Sequence, residues 1–344
     1  MNKIFSLSAT ALLYASGLFA QNKTENFELS VPPPETRVQH SLYNSITLLD
    51  SRKDTTMMGI VQLGAFNRKA RVVPKIPFSR QLTTLVDSLT DGTGGSGRLL
   101  LQLRQFSFAE VTGSLSERGY FFFRANLYAD SNDRYRKIAA IDTLVVNKSG
   151  MDVTRYMLRH GSQLVTGFIA ANLLRSPLDE DYFSKDDVLH IDSIEKTRIK
   201  LYNTPTYADG LYLTYNAFKN QTPDKSITAQ IKKGELVKPR TTDSSGKSIK
   251  VSSGNVYALV YQGQPYIATD YGFYPLEKRD GDFFFIGKAK VTANNSDVLA
   301  ASLMFGLIGG LLASNASATF EMQIDHVSGG FIHLREIKMP GDTN

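Results

Sequence analysis

The side chains able to do chemistry are unevenly stocked, with 33 Asp and Glu and five His but no Cys. A chain without Cys has no thiolate nucleophile, no thiolate metal site and no disulfide, so its stability must come from its core. Among the histidines only His326 and His333 are close enough in sequence to act together. A two-residue turn at Ser328-Gly329 would set His333 opposite Ile324 and diagonal to His326, with Asp325 pointing the other way. Two imidazoles without a third ligand make a poor zinc site, so surface histidines and no metal are expected.

Other local signatures fail on context. Gly92-Thr-Gly-Gly-Ser-Gly97 has dinucleotide-loop spacing, but it follows an expected helix and precedes an expected strand, the reverse of the required order. Gly246-Lys-Ser248 resembles the end of a phosphate loop, yet Thr241 stands where that loop needs Gly. The acidic stretch around Asp179-Glu-Asp181 lacks the alternating oxygen ligands and central Gly of a calcium loop. No G-x-S-x-G elbow or H-E-x-x-H helix is present. No catalytic, cofactor-binding or metal residue is therefore assigned, and no cofactor is expected. Paired carboxylates leave no local spacing signal, which keeps a secreted hydrolase with dispersed carboxylates as an alternative.

The net charge of +6 is concentrated locally. Between Lys225 and Lys250 the cations Lys232, Lys233, Lys238, Arg240, Lys247 and Lys250 face only Glu235 and Asp243. Lysines guarding a hairpin edge explain such a run, and so does a patch for an anionic surface. Hydrophobic and charged residues make up 42% and 21% of the chain, which excludes global disorder, and the Phe and Tyr content favours strands.

The elements that must carry these groups fall into two halves. A strand near Met58–Leu63, a helix over 79–89 and strands at 99–111, 120–128 and 136–146 lead to a helix ending near Leu173. The second half reads as a series of short strands separated by Gly-containing turns. The expected fold is α+β: an N-terminal sheet with two packed helices, then an antiparallel β-meander with an inserted apolar, glycine-rich helix or helical hairpin. The boundaries are signal peptide 1–20, extended lead-in 21–56, α+β domain 57–175, acidic linker 176–198 and β domain 199–344, with the apolar insertion at 298–320.

Gly210-Leu-Tyr-Leu-Thr-Tyr215, Phe218, Asn220 and Pro223 resemble a GLYLTY-x-x-F-x-N-x-x-P signature of uncharacterised exported cell-envelope proteins of Bacteroidota. The element order over 57–175 is similar to that of periplasmic auxiliary lipoproteins of ABC-type transporters, whose lipidated Cys is absent here. The first resemblance implies an envelope protein. The second implies an auxiliary component of an envelope transport system.

Lys3, the apolar stretch Ile4–Phe19 and Leu18-Phe19-Ala20 before Gln21 read as a cleaved signal peptide. Export without lipidation follows, to the periplasm or the outer-membrane periphery, where nucleic acid is not an expected partner. From Val298 to Ala313 only Ser302 is polar, a run of 16 residues against the ~20 that a spanning helix needs. Gly306, Gly309 and Gly310, flanked by Phe305 and Leu307, form a small-residue face suited to close contact with membrane lipid or an envelope protein. An exported, non-enzymatic envelope protein with a binding, scaffolding or membrane-associated role is the expected function.

Overall fold

The computed structural model describes residues 23–64, 68–112, 117–149, 153–177, 181–232, 235–288 and 319–337. The fold is α+β, as the pattern of elements implies. Its largest element is a meander of three long strands, β5 (Gly97–Thr112), β6 (Glu117–Asp130) and β7 (Tyr135–Ser149). The β6–β7 turn places Asn132 and Asp133 at φ 54° and 60°, left-handed conformations that Asn and Asp tolerate better than most residues.

Strand alternation gives this meander two faces. Leu101, Leu103, Phe106 and Phe108 of β5 and Phe121, Phe123, Ala125 and Leu127 of β6 point one way, under helices α1 (Phe78–Leu89) and α2 (Val153–Ala170). The rings interlock: Phe108 stacks on Phe121 at 4.5 Å, and Phe106 meets Phe121 edge-on at 5.0 Å. Gly161 of α2 lies directly over Phe108, where an added Cβ would come within 2.8 Å of the ring. That close approach explains a glycine in mid-helix despite its low helix propensity.

The segment expected to be an extended lead-in is part of the sheet. Strand β1 (Lys23–Phe27) pairs in parallel with β4 (Arg68–Pro74), and β2 (Tyr43–Asp50) pairs in parallel with β5. Strand β3 (Gly59–Leu63) pairs with β4 and also with the far end of β5, so β2 and β3 share one edge of that long strand. Phe27, Tyr43 and Ile46 are buried in the core.

The acidic stretch expected to be a linker folds into α3 (Lys185–Leu189) and α4 (Ile191–Thr197), followed by α5 (Lys200–Asn203). Ser184 starts α3 with a capping box: its side chain accepts from Asp187 N–H, and the Asp187 carboxylate accepts from Ser184 N–H.

Three antiparallel sheets follow. One joins β8 (Gly210–Tyr212), β12 (Ala258–Tyr261), β13 (Gln264–Thr269) and β14 (Gly272–Pro275). Another joins β15 (Glu277–Arg279), β16 (Asp282–Lys288), β17 (Thr319–Ile324) and β18 (Phe331–Glu336). A three-stranded sheet is built from β9 (Thr228–Lys232), β10 (Glu235–Thr242) and β11 (Ser248–Lys250). Gly306, Gly309, Gly310, Phe305 and Leu307 lie outside the described residues. Among the described residues no helix is long and apolar enough to cross a membrane.

The 210–223 motif forms one packed unit. Gly210 has φ 150°, and a Cβ there would come within 2.5 Å of Pro223 Cβ, so these two positions depend on each other. Thr214 caps α6 (Tyr215–Lys219) by accepting from Ala217 N–H, and Tyr212 packs edge-on against Phe218 at 5.2 Å.

Candidate functional site

The second face of the meander is polar at its centre. Leu100, Tyr128 and Tyr135 form a small apolar cluster there with Val188 of α3. Beside it Gln102 is buried, its amide donating to Val188 O at 2.6 Å and its carbonyl oxygen accepting from Asn126 Nδ2 at 3.1 Å. A β-bulge then shifts the register between Leu103 and Gln105. Arg104 is the extra residue; it keeps the face of Leu100 and Gln102, while the bulge sets Gln105 opposite Arg124 of β6 and returns Phe106 and Phe108 to the apolar face.

Both arginines are held by pairs of carboxylates. Arg104 makes a two-pronged contact with Glu195 of α4 at 3.0 and 2.8 Å and reaches Asp192 at 2.5 Å. Arg124 grips Asp142 of β7 at 2.9 and 3.0 Å and Asp325 at 3.0 and 2.6 Å. Such fork-on-fork pairs fix direction as well as charge. Lys137 lies 3.9 Å from Glu195, and His326 Nε2 is 3.0 Å from the same carboxylate.

The turn between β17 and β18 supplies Asp325 and His326. Asp325 accepts from the Ser328 hydroxyl at 2.5 Å, and Gly329 N–H donates to Asp325 O at 2.7 Å. Tyr215 donates its hydroxyl to His326 O at 2.7 Å, and Tyr257 donates to Gly329 O at 2.8 Å. Gly329 has φ 77°, and a Cβ there would collide with the Tyr215 ring at 2.2 Å. The last tyrosine of the GLYLTY stretch thus holds the turn that carries Asp325 against the sheet.

Burial opposes ionisation of Asp325, but its bonds to Arg124 outweigh that and hold its carboxyl down at about 2. Glu195 is likewise held at about 2: burial would raise it, and the contacts with His326 and Arg104 more than compensate. Arg124 resists deprotonation more than an ordinary arginine, because Asp325 and Asp142 overcome the penalty of burial.

Asp192, Glu195 and His326 bring one ligand atom each to within 4.8 Å of one another, a spacing that a metal ion would accept. The charge does not fit a cation, because Arg104 already lies against both carboxylates and Lys137 approaches Glu195. The arrangement is a closed ion-pair network, with each of these acids facing a fixed positive charge.

The histidines differ from the surface pair expected. Both are buried, and His333 pairs in register with Met322 rather than Ile324. The turn spans more residues than Ser328-Gly329, since Asp325 N–H donates to Gly330 O, and a bulge lies between Glu321 and Met322. His326 therefore faces Glu195, while His333 packs on Phe320 at 4.8 Å with both ring nitrogens unpartnered and its protonation pushed down to about 4 by burial.

The cations Lys232, Lys238, Arg240, Lys247 and Lys250 come together on the three-stranded sheet and are all exposed, whereas Lys233 is outside the described residues. Sequence reasoning missed the arginine network, which joins partners up to 201 residues apart. A signal for half of it was present. The apolar phase at Leu99, Leu101 and Leu103 slips to Phe106 and Phe108, which marks a bulge at Arg104-Gln105.

No family model matches the chain, and no curated protein matches it. Among solved structures it is similar to protein XCC0632 from Xanthomonas campestris, of family DUF330, at 14% identity and TM-score 0.30 over 44% of this chain and 95% of that one. A second, an uncharacterised protein, is 10% identical at TM-score 0.22 over 43% of this chain and 97% of that one. Likenesses this slight carry no argument about function.

Proposed function

We propose that this is an exported, non-enzymatic envelope protein with a binding or scaffolding role, in which the central polar layer joins two halves and performs no reaction. The carrying observation is the state of Arg104, Arg124, Glu195 and Asp325: each acid is paired with a guanidinium and strongly held in its charged form. A general acid or base works best when its pKa lies near the working pH, and carboxyls held near 2 are far from that. The bonds instead suit positioning, since they tie β5, β6 and β7 to α4 and to the β17–β18 turn.

The test is a panel of esterase, phosphatase and glycosidase substrates with the purified protein and with Glu195→Gln and Asp325→Asn. No turnover above blank is expected. Turnover that either substitution abolishes, in a variant with unchanged circular dichroism, would overturn the reading. Export is tested by cell fractionation, with the protein expected outside the cytoplasm and shortened at its N-terminus.

The order β3, β4, α1, β5, β6, β7, α2 favours a second reading, an auxiliary role in an envelope transport system. Co-purification of a permease or ATPase subunit would support it, and a pull-down lacking both would sink it.

A further inference from the structure

The three-stranded sheet projects an unusual arrangement of charge. A one-residue bulge interrupts β10: Val237 pairs with Gln230, but Arg240 pairs with Thr228. With strict alternation Pro239 would have met Thr228, and Arg240 would have turned to the reverse face with its neighbours. The bulge instead places Arg240 on the face of Gln230 and Lys232, directly opposite Lys250 of β11. Like charges directly opposed across two strands are unfavourable unless something outside the sheet compensates them.

The bulge is itself strained. Lys238 has φ 53°, a left-handed conformation that a residue with a Cβ adopts reluctantly, and its side chain is exposed beside buried Pro239. Arg240 is braced, with Nε and Nη2 donating to the Ser248 hydroxyl and carbonyl at 2.8 Å each, so its guanidinium is held in place above the sheet. Asp243 is already engaged: it accepts from Ser245 N–H at 2.9 Å and Lys247 N–H at 2.9 Å, which closes the turn. The reverse face packs inward, with Thr241 buried and Leu236 against a core cluster that contains Val251 and Tyr266. One face is therefore basic and open, while the other packs on the body of the protein at Leu236 and Thr241 and leaves Ile231 and Ile249 exposed.

From this geometry we infer that the β9–β10–β11 sheet docks on an anionic lipid bilayer surface, with Lys232, Arg240 and Lys250 facing the headgroups. The proposal rests on the non-enzymatic binding role above. A bilayer is favoured over a soluble anionic polymer because the cations spread across an exposed sheet and do not line a groove. The apolar run Val298–Ala313 elsewhere in the sequence also suits a chain that works at a membrane. Basic residues near such a surface each contribute about a factor of five in partitioning, so three of them are worth on the order of 100-fold.

The test is sedimentation of the full chain with vesicles of pure phosphatidylcholine and with an equal mixture of phosphatidylcholine and phosphatidylglycerol, at low and high salt. Binding to the mixed vesicles alone, reversed by salt, is expected. Lys232→Gln with Arg240→Gln and Lys250→Gln should lower it on the order of 100-fold, whereas Arg80→Gln with Lys185→Gln and Lys200→Gln should leave it within a few-fold. Equal binding to both vesicle types, or binding that survives the triple change, would overturn the proposal. So would retention by dextran sulfate at salt concentrations that release the protein from mixed vesicles, which would assign the face to an anionic polymer. None of these outcomes depends on the substrate panel, so the two readings fail separately.

Discussion

On one face of the β5–β6–β7 meander, phenylalanines 106, 108, 121 and 123 interlock beneath two helices. On the other, Arg104 and Arg124 are each held by two carboxylates, partly from segments far along the chain. The apolar face is held by shape and by exclusion of water, so pH should hardly affect it. The polar face is held by charge, and its strength is conditional on protonation. One strand thus serves both kinds of adhesion, alternating residue by residue.

The largest effects should come from breaking each face at its centre. Phe108→Ala should cost about 3–5 kcal/mol through the cavity it leaves. Arg124→Ala should cost about the same by leaving Asp325 buried and unpaired. The faces then differ in how they can be repaired. Arg124→Met combined with Asp325→Leu should recover most of the loss in urea denaturation, because the buried carboxylate is removed with its partner and the remaining Asp142 reaches solvent. If the double variant is no more stable than Arg124→Ala, charge pairing is not what holds that face.

Acid should separate the faces next. Glu195 and Asp325 sit at about 2, below the ordinary 4.5 and 3.8, so their stabilisation is complete above those ordinary values and lost as pH falls towards 2. His333 acts in a higher window. Its folded value is about 4 against an ordinary 6.5, so the unfolded chain takes the proton first. Stability should be full above 6.5 and decline by ~3 kcal/mol in total as pH falls to 4. His333→Phe should remove that slope and leave the one below pH 4, as read from thermal melts across pH.

The smallest tests lie on α2, above the aromatic face. Gly161→Ala should destabilise by about 1–3 kcal/mol because its methyl meets Phe108, even though Ala favours a helix. Gly167→Ala, with nothing within 4 Å of the new methyl, should stabilise by about 1 kcal/mol. If both shift the same way, the tight seating of α2 over Phe108 is not the reason for Gly161.

The apolar face was legible in the sequence because alternation and helical spacing are local signals. Phe106 and Phe108, or Leu82, Leu85, Val86 and Leu89, announce a buried face within a few residues. Of the polar face only the bulge at Arg104 left a local sign, because an ion pair between Arg124 and Asp325 leaves no mark at either end. Asp192 and Glu195 were read as part of a solvated linker, which is what acidic residues between domains usually are. His333 was read as an ordinary surface histidine although a pairing with Ile324 already sets it on the face of Phe320 and Met322; the longer Asp325–Gly330 turn moves its partner by two residues to Met322 and keeps that buried face. The basic residues between 232 and 250 were legible as a cluster, but the placing of Arg240 on the face of Lys232 depends on the bulge after Val237.

The pairing of Arg124 with both Asp142 and Asp325 also has a consequence in time. Asp142 lies 18 residues after Arg124 and Asp325 lies 201 after it. A ribosome adding about 5–20 residues per second needs roughly 10–40 s to supply the distant partner. During that interval the hairpin partner Asp142 can already hold the guanidinium in its aimed position. The late-made turn then meets a receptor that is set in advance, and its arrival closes the second ion pair on Arg124.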